Sequence, residues 1–150
     1  MKNLADPKDA AEIRIRILSL IPSDAAQWGI MNVNQMVCHV RQAFILALED
    51  TPVKFIKGPL PPRALKFAAL RIPKQWPHST PTPRLLRPDA PGMICTTFEQ
   101  DRAGLLVALD SFCALTNHTR DHPFFRSMQH ADWMRWGYLH ADHHLRQFNR

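Results

Sequence analysis

Tyr138-Leu-His-Ala-Asp-His-His-Leu-Arg-Gln-Phe148, near the C-terminus, is the stretch on which the fold reading turns. No Gly or Pro follows Gly137, and Trp133, Trp136 and Leu139 recur at helical spacing, which predicts a helix. On it, His140 and His144 stand one turn apart on one face, where two imidazoles can share a metal ion. An i, i+4 pair cannot hold a functional metal alone, so a third ligand has to come from another element. The spacing by itself is weak, because 8 His in 150 residues give about 0.4 His-x-x-x-His pairs by chance. His118 and His122 show the same spacing, but Pro123 pushes His122 out of the α region, so that pair reads as a helix end and a turn. The bland reading of His140 and His144, beside Arg146, is cationic decoration of a last helical turn.

Working back along the chain, Thr96 or Thr97 caps the preceding long helix. Glu99, Gln100 and Asp101 stand in its first turn, and Leu105, Leu106, Leu109, Phe112, Cys113 and Leu115 give the apolar face, ending near Asn117. The closing helix then runs from about Gln129 to Phe148, with Asp132 in its first turn. At the other end, Asp6-Pro7 starts a helix whose Ala11, Ile15 and Leu18 fall at core spacing. Asn32 or Asn34 caps a second long helix to Asp50, with Gln35 able to close a capping box on Asn32. Its inward stripe is Met36, His39, Ala43 and Leu46, flanked by Val40 and Ala47. A histidine in that stripe is either a core residue satisfied by one hydrogen bond or a metal ligand.

Residues 51 to 95 form a proline-studded connection in which only Ala64 to Leu70 can make about two turns of helix. Such a crossover lets the second and third long helices run parallel, and the short link to the closing helix makes that last pair antiparallel. The fold class expected is all-α, a four-helix bundle in a single domain over residues 1 to 150. In that arrangement His39, early in the second long helix, comes level with His140 and His144, late in the closing one.

The remaining composition bounds the function. The content is 45% hydrophobic, no apolar run approaches a membrane span, and the first residues lack the apolar core of a signal peptide, so a cytoplasmic protein is expected. Cys38, Cys95 and Cys113 are odd in number and unpatterned, which indicates neither a disulfide framework nor a thiolate zinc site. Cys38 points about 100° around its helix from His39 and stays outside the ligand set. The net charge of +6 resides in one segment: residues 51 to 90 hold Lys54, Lys57, Arg63, Lys66, Arg71, Lys74, Arg84 and Arg87 against Asp89 alone. Nine of the 13 prolines interleave with these charges and no nucleic-acid motif accompanies them, so the segment reads as a solvated wrapping loop rather than a nucleic-acid footprint.

Trp28-Gly-x-Met31-Asn32-x-x-Gln35-Met36-x-x-His39, with His122-Pro-Phe-Phe125, Asp132-Trp133 and Tyr138-x-His140-x-x-His143-His144-Leu-Arg-Gln-Phe148, resembles a domain-of-unknown-function subfamily of the DinB/YfiT-like metalloenzymes. The resemblance runs nearly end to end. It implies a four-helix bundle whose divalent metal, zinc or nickel, is held by His39, His140 and His144. It also implies an enzyme acting on a small molecule, with transferases that use a low-molecular-weight thiol among its relatives, and a homodimer. Two positions depart from the pattern: Arg126 stands where Gly usually follows the two Phe, and Gln129 where Ser or Thr usually caps the closing helix.

Three neutral imidazoles leave an open coordination position, which suits a catalytic rather than a structural ion. Gln147 shares a face with His140 and His144, and Gln35 stands one turn before His39; each is either a support for the ligands or ordinary capping and surface polarity. His143 points about 100° from His144, outside the ligand set. No Asp or Glu stands one or two turns from a ligand on the same face, so no general base is assigned. Trp28, Trp133, Trp136 and Tyr138 either line a pocket or fill the core. The contrasting expectation is a non-catalytic bundle that works through a partner or its own dimer.

Overall fold

The computed structural model describes residues 1–50, 52–72, 75–78 and 95–150. Local capping chemistry sets the helix starts. Asp6 accepts from the Lys8 N–H at 2.9 Å and Pro7 takes the first position of α1 (Pro7–Leu18). Asn32 Oδ1 accepts from the Gln35 N–H at 2.9 Å while Gln35 Oε1 accepts from the Asn32 N–H at 3.0 Å, a reciprocal cap that opens α2 (Val33–Leu48). α3 (Pro62–Arg71) is the short helix expected inside the crossover. Thr97 caps α4 (Phe98–Cys113), and α5 (His130–Gln147) starts after Gln129, whose N–H donates to Asp132 Oδ2 at 3.3 Å.

Among the described residues five helices make the fold mostly helical, but it is not purely all-α. β1 (Arg120–His122) and β2 (Arg126–Met128) pair antiparallel, with Arg120 opposite Met128 and His122 opposite Arg126. Strands of three residues are too short for alternation to register in the sequence. Arg126 closes their turn at φ +55°, a left-handed backbone in which glycine is at ease, so the departure noted at this position falls where glycine suits best. The Arg126 guanidinium lies over the Phe55 ring, 4.4 Å from its centroid.

Contacts along the long helices fix their directions. From α2 to α4 they rise together: Asn34 Nδ2 donates to the Thr96 carbonyl, Arg41 pairs with Asp101, and Phe44 packs on Phe112, so the two helices are parallel. From α1 to α5 they also rise together, through Tyr138 to Glu12 and Arg16 to Asp142 at 2.8 Å. Trp136, early in α5, meets Phe44, late in α2, which makes α5 antiparallel to α2. Phe44, Phe112 and Trp136 form the centre of the core, with ring centroids 4.9 to 6.5 Å apart.

One expected face is wrong. In α1 it is Ile13, Ile17 and then Leu20 that are buried, whereas Ala11, Ile15 and Leu18 are exposed. Both sets have helical spacing, two residues and so about 200° apart, and the deeper neighbours took the pair of bulky isoleucines. In α2 the expected stripe holds, with Met36, His39, Val40, Ala43 and Ala47 buried and Leu46 half-buried. The basic segment is only partly a solvated loop: Lys66 and Arg71 reach Asp132 at 3.1 and 2.9 Å and tie α3 to α5, while Lys54, Lys57 and Arg63 are exposed. Pro73, Pro81, Pro83, Pro88, Lys74, Arg84, Arg87 and Asp89 lie outside the described residues. Among the described residues no helix is long and apolar enough to cross a membrane.

Candidate metal centre

Because α2 and α5 run antiparallel, His39 sits level with His140 and His144, and one ring nitrogen of each lies within 4.8 Å of the other two. The three side chains are 3%, 8% and 8% exposed, which removes them from competing water. Their rings meet edge to face, with centroids 4.6 to 5.2 Å apart. His39 Nε2 and His140 Nε2 are 3.2 Å apart.

Gln147 decides the tautomer of His144. Its Nε2 donates to the Trp28 carbonyl at 2.7 Å, which orients the amide, because only the NH2 end can face a carbonyl. The amide oxygen therefore faces His144 Nδ1, 3.0 Å away, so Nδ1 carries the proton and donates. That leaves the Nε2 lone pair for a ligand. His140 is held differently. Its ring stacks on Trp136, one turn earlier, at 5.0 Å and 11°, and among the described residues its buried Nδ1 has no hydrogen-bond partner.

Burial keeps the rings of His140 and His144 neutral. Burial pushes the pKa of His140 well below the usual histidine value, and the neighbouring imidazoles His144 and His39 push in the same direction. Burial likewise lowers His144, with His39 adding to it and the Gln147 hydrogen bond opposing. Neutral imidazole is the metal-binding form.

The donor set fits one divalent ion. Four-coordinate bonds of the usual Zn–N length put neighbouring donor nitrogens about 3.3 Å apart, close to the His39 to His140 separation. Two lone pairs held that close, in a buried cluster to which no carboxylate among the described residues belongs, repel unless a cation or a proton stands between them. Three buried histidines can thus form a metal site.

The protein-family model described as "Protein of unknown function (DUF1569)" matches residues 8–150. The chain belongs to this family. Neither the curated proteins nor the solved structures contain a match to it.

In this DUF1569 chain the other residues singled out from the sequence divide. Gln147 contacts a histidine of the cluster directly. Gln35 spends its side chain on the cap of α2. His143 is half-buried, lies 5.2 Å from the His144 ring and 5.9 Å from Trp28, and has its pKa lowered by burial, then by His78 and Arg146. Trp133, Trp136 and Tyr138 are core, whereas Trp28 is only half-buried.

Two neighbours went unnoticed in the sequence. His78 stacks on Trp28 at 3.8 Å and 6°, and Trp76 lies 6.3 Å from His140 and 6.1 Å from His143. Both come from the proline-rich crossover, where no periodicity exists to point them anywhere. The crossover therefore lays two rings beside the histidine cluster.

Proposed function

We propose that this chain is a metal-dependent enzyme of DinB-like four-helix-bundle architecture, a transferase or hydrolase acting on a small molecule in the cytoplasm. His39, His140 and His144 hold one divalent ion, zinc or nickel, and a low-molecular-weight thiol serves as cosubstrate. The working unit is a homodimer. The observation that carries the reading is the 3.2 Å approach of two imidazole Nε2 atoms in a dry cluster, with a third ring turned toward them by Gln147. The parallel run of α2 with α4 and the antiparallel run of α5 support the bundle.

A divalent ion on three neutral imidazoles keeps an open position and supplies Lewis acidity, which brings the pKa of a water or thiol bound there toward neutrality. The chain's own residues prepare that position. Gln147 fixes the His144 proton on Nδ1, Trp136 fixes the plane of the His140 ring, and burial keeps both imidazoles neutral. Trp28, Trp76, His78 and His143 offer flat, half-buried or exposed rings beside the cluster, suited to stacking on a small planar group.

Metal analysis of the purified full chain tests the reading. About one zinc or nickel per chain is expected, falling to background in His39→Ala and in His144→Ala, with thiol-transfer or ester-hydrolysis activity that follows the metal. A wild-type chain that retains no ion, and whose melting is indifferent to chelator, supports instead a non-catalytic bundle acting through a partner.

A further inference from the structure

A second cluster stands on the other side of α2. The Sγ atoms of Cys38 and Cys95 and a carboxylate oxygen of Asp101 lie within 4.8 Å of one another. Cys38 is one residue from His39 but about 100° away around the helix, toward α4, and is 1% exposed. Cys95 is half-buried and sits three residues before α4, and Asp101 is fully buried in the first turn of that helix.

Two thiols and a carboxylate can in principle take a soft cation, but the carboxylate here is already committed. Asp101 Oδ1 accepts from Arg41 at 2.8 Å and from Thr96 Oγ1 at 3.1 Å, and Oδ2 accepts from the Thr96 N–H at 2.7 Å. A guanidinium in contact with the same carboxylate opposes a divalent cation, and displacing it would strand a buried charge. What the cluster leaves available is the thiol pair.

We propose that Cys38 and Cys95 form a reversible disulfide when the chain meets a peroxide. Cys95, the thiol nearer solvent, is oxidised first: its sulfur takes one peroxide oxygen to become a sulfenic acid, and the peroxide is reduced to water. The Cys38 sulfur then attacks the Cys95 sulfur, the S–O bond breaks, and the hydroxide leaves with the Cys38 proton as a second water. A thiol reductant returns both groups to S–H through a mixed disulfide. The link ties the helix that carries His39 to the head of α4 and closes a loop over residues 39 to 94, which restricts the unfolded chain. Cys113, half-buried near Asp110 on the far end of α4, has no place in it.

Graded hydrogen peroxide on the full chain, followed by thiol blocking and peptide mass spectrometry, tests this. The expected product is a Cys38–Cys95 cross-linked peptide, about 2 Da lighter than its parts, reversed by dithiothreitol and melting higher than the reduced chain. It persists in Cys113→Ser and disappears in Cys95→Ser, a change at a half-buried site whose helical content is checked by circular dichroism. Cys95 accumulating as sulfinic acid while Cys38 stays reduced overturns the proposal. So does zinc alone shielding both thiols from alkylation in a His140→Ala chain, which would make the cluster a cation site.

Discussion

Gln147 and the backbone of Trp28 are joined by a hydrogen bond of 2.7 Å that ties the loop before α2 to the ligand-bearing end of α5. The loop can come this close because Gly29, at φ +81°, offers no side chain: a Cβ there would stand 2.6 Å from Gln147 Nε2. Replacing Gln147 by Ala removes the acceptor that holds His144 in its Nε2-open tautomer. Metal affinity is expected to fall about 10- to 100-fold with helical content retained, and Gly29→Ala is expected to lower it too, by displacing the amide. Competition titration against a metal-sensitive dye measures both. Unchanged affinity in Gln147→Ala would detach Gln147 from the site.

Metal should also stabilise the fold. An ion that binds only the folded chain adds about 2.7 kcal/mol when its free concentration is 100 times Kd. For a chain of this length that corresponds to a rise in Tm of about 5–10 °C. Differential scanning calorimetry with and without zinc or nickel should show the shift in the wild type and its disappearance with chelator or in His39→Ala. Equal shifts in wild type and His39→Ala would place the ion elsewhere.

How much of this could be read beforehand depends on the kind of signal each residue carries. Caps are local chemistry, so Asp6, then Asn32 (with Gln35) or Asn34, then Thr96 or Thr97 mark the helix starts, of which the structure uses Asp6, Asn32 and Thr97, and the length of the crossover allows a parallel pair. With that pair parallel, His39 comes level with His140 and His144 on sequence grounds. The face of α1 was not legible because Ala11, Ile15, Leu18 and Ile13, Ile17, Leu20 are equally periodic, and only packing against α4 and α5 chooses between them. Trp76 and His78 were invisible for a different reason: a proline-rich segment has no period, so its contacts are decided wholly by tertiary structure. The pairing of Cys38 with Cys95 is likewise a contact between distant segments that spacing does not encode.

At Gly137 α5 packs closely against its neighbours. A Cβ there would lie 2.7 Å from Phe112 Cε1 and 2.8 Å from Leu4 Cδ1, and both of those side chains are fully buried. Gly137→Ala gains about 1 kcal/mol of helix propensity and loses about 1–3 kcal/mol to overpacking. A net loss of about 1 kcal/mol is expected by urea denaturation. Combined with Leu4→Ala, which opens the clash, the loss should be smaller than the sum of the two single changes. Simple additivity would mean that Leu4 and Gly137 do not share this space.

His122, which is not among the metal ligands, gives the fold a pH dependence of its own. Its ring is 8% exposed, stacked on Phe125 at 4.4 Å and bordered by Trp133 and Trp136, and its Nδ1 accepts from the Phe124 N–H at 3.2 Å. Burial pushes its pKa down from 6.5 to about 3. Below pH 6.5 the unfolded chain takes up a proton that the folded chain refuses, so the stability His122 contributes is whole above pH 6.5. It drains away as the pH falls toward 3, at up to about 1.4 kcal/mol per pH unit. Asparagine keeps an acceptor for the Phe124 N–H but cannot titrate. Urea unfolding of the metal-free chain at pH 7.5 and pH 5.0 should therefore lose about 2 kcal/mol less in His122→Asn than in the wild type, the other histidines contributing equally to both. Equal losses would mean that the folded chain already accepts the proton at His122, in conflict with a ring closed between Phe125 and two tryptophans.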